Sequence, residues 1–269
     1  MVSGGRPPAV SPRRLGQNFL ADPNLLDVIV REAELAPSDV VLEVGGGGGA
    51  LTERLAPQVA HVHVIEIDER LEDQLRPLAQ EAGNVSIVWG DAMKVVLRDL
   101  RPKPTKLVAN LPYSIATPLL LRTIAELPSI ELWVVMVQRE IADRLTAKPG
   151  TKEYASPSVL VQLSCEVTML RRVDPAVFVP RPRVGSALVR LRRKGPAAAG
   201  DLLAIVRLAF AHRRKSLARS LELSRPGSLE PAHRALEAIG KPADARAETL
   251  SPEEFARFAE ALAGEGGNP

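Results

Sequence analysis

Residues 110–118 read NLPYSIATP, placing an Asn, an apolar residue, a Pro and a Tyr at the end of an apolar run, in a chain that is only 3% aromatic. Together these types can hold an amine. The Asn110 side chain offers a carbonyl oxygen, and Pro112 has no N–H, so the turn presents acceptors rather than donors. Tyr113 adds a flat face for a heteroaromatic ring, worth roughly 1–3 kcal/mol per stacked base. An exocyclic adenine amine is a weak nucleophile because its lone pair is delocalised into the ring. Holding its hydrogens on Asn110 and on the backbone carbonyl of Leu111 or Pro112 draws the nitrogen toward tetrahedral geometry and aims the lone pair at an electrophilic methyl group. No catalytic base is needed, since the nitrogen becomes acidic once methylated. Taken alone, the same residues also serve as an ordinary proline turn with the tyrosine packed on the domain.

A second group precedes it. EVGGGGGALTERL sets Gly45, Gly47 and Gly49 between an apolar run and a helical pattern, where backbone must approach a ligand without side chains in the way. Gly45, Gly47 and Ala50 also satisfy G-x-G-x-x-G/A, with Glu66 about 20 residues on, so the loop alone leaves a dinucleotide oxidoreductase open. Glu66, ending VIE, is placed to accept from both hydroxyls of a ribose, and Asp91, ending VWGD, from an adenine amino group in the neighbouring crevice. Asp68 and Glu69 read as helix N-terminal acids. Glu43 reads as a partner of the glycine loop or of a cationic ligand group.

The elements that must position these residues alternate. DVVLEV (39–44), VHVIEID (62–68), NVSIVWGD (84–91), TKLVANLPY (105–113) and ELWVVMVQ (131–138) read as strands, with ALTERLA, ERLEDQLRPLAQEA and TPLLLRTIAEL as helices between them. That order predicts a doubly wound α/β domain with a parallel sheet. DPNLLDVIVREAEL opens with an Asp cap and a Pro at the first helical position. SPSVLVQLSCE fits helix or strand, and VTMLRRV and SALVRLRR alternate as a closing antiparallel pair. KGPAAAG (194–200) reads as a linker, everything beyond it as helix, and Ser251 with Glu254 as a capping box. The boundary is placed near Gly195, giving residues 1–195 and 196–269.

Composition bounds the class. The chain has 269 residues, one cysteine (Cys165) and a formal charge of +3. A lone cysteine excludes an internal disulfide and a multi-Cys metal site. The four histidines are scattered and read as structural or surface residues, so no metal is expected. No apolar run of about 18 residues and no signal-like segment appears, which predicts a cytoplasmic protein with no membrane partner. Thirteen Lys and Arg against two acids lie between Arg171 and Ser220, a +11 block in a chain otherwise at −8. Such a block is an electrostatic footprint for a polyanion or a solvated basic face.

Eight segments together resemble the ribosomal RNA adenine N6,N6-dimethyltransferases, in their bacterial small-subunit branch. They are LGQNFL (15–20), VLEVGGGGGALT (41–52), VIEID (64–68), GDAM (90–93), NLPYSIATP, MVQREIADRLTAKPGTKEY (136–154), FVPRPRVGSALVRL (178–191) and FAHRRKSL (210–217). The resemblance implies a class I methyltransferase fold, Rossmann-like with a seven-stranded, mostly parallel sheet, followed by a small all-α domain that binds RNA. It implies S-adenosyl-L-methionine as methyl donor and, as partner, the rRNA of the immature small subunit, where two adjacent adenines of the 3′-terminal hairpin are dimethylated by a monomeric enzyme. By match, Gln17, Asn18 and Leu20 close over the donor, Gly45 and Gly47 form its loop, Glu66 holds the ribose and Asp91 the adenine. Asn110, Leu111, Pro112 and Tyr113 form the acceptor site, with Phe178 as a second aromatic beside the target base. Arg181, Arg183, Arg213, Arg214 and Lys215 make the RNA face. The chain departs from the family pattern at Gly46 (Pro), Ser114 (Asn), Ala155 (Gly) and Gly185 (Asp), and the extra glycine is expected to loosen the donor loop. The rivals are the large-subunit enzymes of macrolide resistance, which share the loop and turn, and an RNA-binding assembly factor without the chemistry.

Overall fold

The computed structural model describes residues 18–20, 22–198 and 200–265. In chain order the elements are β1 (Phe19–Leu20), α1 (Pro23–Glu32), β2 (Val40–Val44), α2 (Thr52–Leu55), β3 (His61–Glu66), α3 (Glu72–Ala82), β4 (Val85–Trp89), β5 (Lys106–Asn110), α4 (Ala116–Glu126), β6 (Leu132–Gln138), α5 (Arg139–Leu145), α6 (Ser156–Ser164), β7 (Cys165–Val173), β8 (Phe178–Val179) and β9 (Ser186–Arg193). Helices α7 (Gly200–Ala209), α8 (Leu217–Ser224), α9 (Leu229–Ala238) and α10 (Pro252–Glu265) follow.

Seven strands form one sheet in the order β4-β3-β2-β5-β6-β9-β7. The first five run parallel, and β9 lies antiparallel to β6. β2 and β6, with neighbours on both sides, are buried almost throughout, as continuous apolar runs of a two-face-covered sheet should be; β4, at the edge, is half-buried along its length. Val62, Val64, Val108, Val134 and Met136 bury one face against Leu25, Leu26 and Ile29 of α1 and Leu55 of α2. Each such side chain contributes about 1.5–3 kcal/mol by leaving water. The strand order reverses between β2 and β5, so the crevice at their carboxyl ends is where a ligand belongs.

Local chemistry sets the ends. Asp22 caps α1, accepting from the N–H groups of Asn24 at 2.8 Å and Leu25 at 3.1 Å. Asp68 accepts from the Arg70 N–H ahead of α3, as expected of a helix N-terminal acid. Ser251 and Glu254 form the expected capping box, at 2.9 and 3.2 Å. The His61 and His63 rings share the Ser86 hydroxyl, at 2.9 and 2.8 Å, so both serve the β3–β4 edge.

Two compact units emerge, and the division departs from a simple cut at 195. One holds the residues up to Ala142 with Val167–Arg193; the other holds Asp143–Glu166 with Lys194 onward. Residues 143–166 join the C-terminal helices because the AKPGTKEY stretch is tied to them. The Gly150 N–H donates to the Glu248 carbonyl (2.7 Å), the buried Tyr154 hydroxyl donates to the Leu250 carbonyl (3.0 Å), and Tyr154, Phe210 and Phe255 form an aromatic row. SPSVLVQLS is helix and turns to strand at Cys165. The long helical text after residue 200 breaks at HRRKS, where the Ser216 side chain caps α8 by accepting from the Arg219 N–H. Ala155 stands where the family has Gly in an extended conformation open to any residue, so the departure carries no backbone strain.

Candidate functional site

A cavity of about 240 Å³ opens at the β2/β5 reversal, lined by Asn18, Phe19, Gly45, Gly47, Glu66, Ile67, Asp91 and the whole turn Asn110–Ile115. The glycine loop forms its floor. Gly47 has φ +55°, and a Cβ there would stand 3.0 Å from the Phe19 ring, so only glycine lets that ring close over the loop. At Gly46 a Cβ would come within 2.4 Å of Val64 Cγ1. The core valine thus fills the space that the family's proline would need, and the loop departure is matched by its support.

Glu66 ends β3 at 2% exposure with its carboxylate already engaged. Oε2 accepts from the Gly47 N–H at 3.0 Å, and Oε1 from the Ile67 and Asp68 N–H groups at 2.9 Å each. It therefore holds the loop as well as facing the cavity. Of roughly four lone-pair sites on a carboxylate, three are used, which leaves one acceptor position on Oε2 rather than the two that two ribose hydroxyls require. Asp91 accepts from the Met93 N–H through Oδ1 (2.8 Å) and also faces the cavity.

Glu43 does not face it. At 1% exposure it accepts a 2.6 Å bond from the Thr52 hydroxyl, which opens α2 beyond the glycine loop, so Glu43 ties β2 to that helix and meets neither the loop nor a cationic ligand group. Burial pushes its carboxyl up to about 8, the Glu66 charge adds to this, and the Thr52 bond opposes it. Glu43 is therefore protonated at neutral pH.

The acceptor turn is held by four hydrogen bonds. Asn110 lines the cavity, and its Nδ2 donates to the Asn18 carbonyl at 3.0 Å, which fixes the plane of the amide. The Leu111 N–H donates to the Met136 carbonyl and the Pro112 carbonyl accepts from the Ile115 N–H, leaving the Leu111 carbonyl as the better placed partner for an amine. Tyr113, half-buried, shares a 2.7 Å hydrogen bond with Ser186 Oγ. Burial raises its phenol pKa, keeping the ring neutral.

Not every expected residue reaches the cavity. Phe178 is 2% exposed, opposite Leu20 in the antiparallel pair of β1 and β8, and belongs to the core cluster rather than to the wall beside a target base. Leu20 is likewise buried, and its β1 neighbour Phe19 lines the cavity instead. Alternation along the two-residue strand accounts for the exchange. Gln17 lies outside the described residues. Ser114 is exposed at the cavity rim, and nothing in the structure explains Gly185, where a Cβ would find ordinary space. Ile67 and Ser186 were missed: the first is a half-exposed isoleucine beside Glu66, the second is 73 residues from its partner.

The basic block is partly spent on structure. Arg190 and Arg192 pair with Glu34, and Arg193 donates to the Ile124, Leu127 and Ile130 carbonyls while lying 5.0 Å from the Trp133 ring centroid. Arg213, expected on the RNA face, donates to the Lys152 and Tyr154 carbonyls and lies 3.7 Å from Glu248, so it braces the second unit. Arg181, Arg183, Arg214 and Lys215 are exposed. Arg181 makes a 3.6 Å contact with Asp174, with both side chains about 70% exposed.

Residues 11–263 match the model of the family described as ribosomal RNA adenine dimethylase. The chain belongs to that family. A relative from Rubrobacter xylanophilus, ribosomal RNA small subunit methyltransferase A, is 46% identical over 90% of this chain and 92% of its own. Among solved structures, a dimethyladenosine transferase from Plasmodium falciparum superposes with TM-score 0.81 at 27% identity, covering 92% of this chain and 98% of that one. The 23S rRNA methyltransferase ErmE does so at 0.69 and 31%, covering 91% and 100%. The protein is thus an rRNA adenine dimethyltransferase with the Rossmann-type fold of such enzymes.

Proposed function

We propose that this enzyme dimethylates the N6 amines of two adjacent adenines in the 3′-terminal hairpin of small-subunit rRNA, using S-adenosyl-L-methionine, during assembly of the subunit. The observation that carries the chemistry is the Asn110 amide. Its nitrogen is committed to the Asn18 carbonyl, so its oxygen is the group offered to an incoming amine. The small-subunit choice is supported by curated relatives of that name at 37–46% identity over nine-tenths of the chain.

The cavity fits the donor: a side-chain-free loop faces acids at the ends of β3 and β4 across about 240 Å³. Glu66 would hold the ribose through its remaining acceptor position, Asp91 the adenine amine, and Asn18, Gly45 and Gly47 the amino-acid end. When bound, S-adenosyl-L-methionine supplies a methyl group on a sulfonium, already electrophilic. The protein's part is orientation. Asn110 Oδ1 and the Leu111 carbonyl take the two amine hydrogens, Tyr113 stacks on the extruded base, and the proton leaves to water after transfer. Extrusion costs a few kcal/mol, which stacking offsets.

The RNA approaches as part of the immature subunit, with Arg181 and Arg183 offering charge on the first unit and Arg214 and Lys215, separately, on the second, and the enzyme acts as a monomer in the cytoplasm, where that substrate is assembled. Among the described residues no helix is long and apolar enough to cross a membrane. Mapping dimethyladenosine in rRNA with and without the gene tests the assignment. Loss of the modification from small-subunit rRNA alone is expected; loss from large-subunit rRNA would transfer it to the rival type.

A further inference from the structure

One buried hydroxyl meets the acceptor turn from outside it. Ser186 opens β9 at 1% exposure, and its Oγ lies 2.7 Å from the Tyr113 phenol oxygen. A ring held at both its Cα and its hydroxyl has its long axis fixed, so it cannot swing out of the slot wall. Ser186 is itself rigid, because it sits opposite Gln138 in the β6–β9 pairing and the preceding Gly185 carbonyl accepts from the Arg139 N–H at 2.9 Å.

The same serine ends the exposed, arginine-bearing segment Val179–Gly185. That segment begins where Val179 faces Phe19 of β1, one residue after Asn18, whose carbonyl orients Asn110. Each end of the segment therefore leads to one acceptor residue. The amino end reaches Asn110 through Phe19 and Asn18, and the carboxyl end reaches Tyr113 through Ser186.

We propose that Ser186 is a positioning residue for the target adenine, its hydroxyl holding the Tyr113 ring as the wall of the slot and coupling that wall to the Val179–Gly185 segment. This rests on the reading that the Asn110–Tyr113 side of the cavity takes the acceptor base. Tyr113→Phe keeps the ring and deletes only the phenol side of the bond; Ser186→Ala deletes the other side.

At saturating donor and RNA, each variant should slow methyl transfer to immature small subunits roughly five- to tenfold, the kinetic equivalent of one hydrogen bond. Donor affinity, measured by calorimetry, should be unchanged in both. The double variant should be no slower than either single one, since both remove the same bond. Additive slowing in the double variant, wild-type turnover in Tyr113→Phe, or a change confined to donor affinity would overturn the proposal. Asn110→Ala, run alongside, separates the two levels. If it still turns over, the acceptor reading itself fails; if it is inactive while Tyr113→Phe and Ser186→Ala are unimpaired, only the role of Ser186 falls.

Discussion

Replacing Glu66 by Gln isolates what the carboxylate does, because the shape is kept and one acceptor oxygen becomes a donor. In the wild-type chain three backbone N–H groups converge on it, one on Oε2 from Gly47 at 3.0 Å and two on Oε1 from Ile67 and Asp68 at 2.9 Å. A carboxamide satisfies at most one side. With its oxygen toward Ile67 and Asp68, its NH2 faces the Gly47 N–H, donor against donor, at the residue over which Phe19 closes. Losing a hydrogen bond to a charged acceptor costs about 1.5–3 kcal/mol, and here it falls on the donor loop. The remaining Oε2 acceptor position offered to the ribose is lost with it. The expected result is therefore a donor affinity weakened about 10- to 100-fold by calorimetry, with the melting temperature lowered as well. Donor affinity equal to wild type in a folded Glu66→Gln protein would refute the assignment of Glu66 to both loop and ribose.

Two further outcomes follow from charge and burial. Glu43, with a native pKa near 8 against an ordinary 4.5, keeps its proton in the folded chain across that interval while the unfolded chain gives it up. Wild-type stability should therefore fall as pH rises from about 4.5 to 8, by an amount on the order of a few kcal/mol, and Glu43→Gln should lack that decline in urea unfolding at pH 5 and 8.5. Parallel losses in the two proteins would contradict it. Arg213→Ala should destabilise the second unit by about 1–3 kcal/mol, through the carbonyls it leaves unpaired, without changing the salt dependence of RNA binding. Removing Arg181 and Arg183 together should instead flatten the log–log salt slope by about 1.5–2.

Much of this was legible before any coordinates. Apolar runs and their glycine, proline and acid punctuation fix the order of the parallel strands, and ligands of such sheets sit at strand carboxyl ends, so Gly45, Gly47, Glu66, Asp91 and Asn110 could be placed together. Local capping was equally readable at Asp22, Asp68 and Ser251. What could not be read depends on contacts distant in sequence. Which of Leu20 and Phe19 faces the cavity turns on the pleat of a two-residue strand pairing with residues 178–179. The assignment of residues 143–166 to the second unit turns on Tyr154 meeting Phe210 and Leu250. Arg213 counted as a free positive charge in composition, yet its partners are backbone carbonyls, which no charge count contains. That Val64 occupies the space a side chain at Gly46 would need is likewise a contact distant in sequence.

The central claim is that Asn110 presents its oxygen to an adenine amine while its nitrogen is held by the Asn18 carbonyl. Methyl transfer to immature small subunits by Asn110→Ala, with donor affinity measured in the same preparation, tests it most directly. The prediction is near-complete loss of dimethyladenosine formation with donor affinity within about twofold of wild type, the split expected when only an acceptor-side contact is removed. Turnover at the wild-type rate would contradict the acceptor role outright.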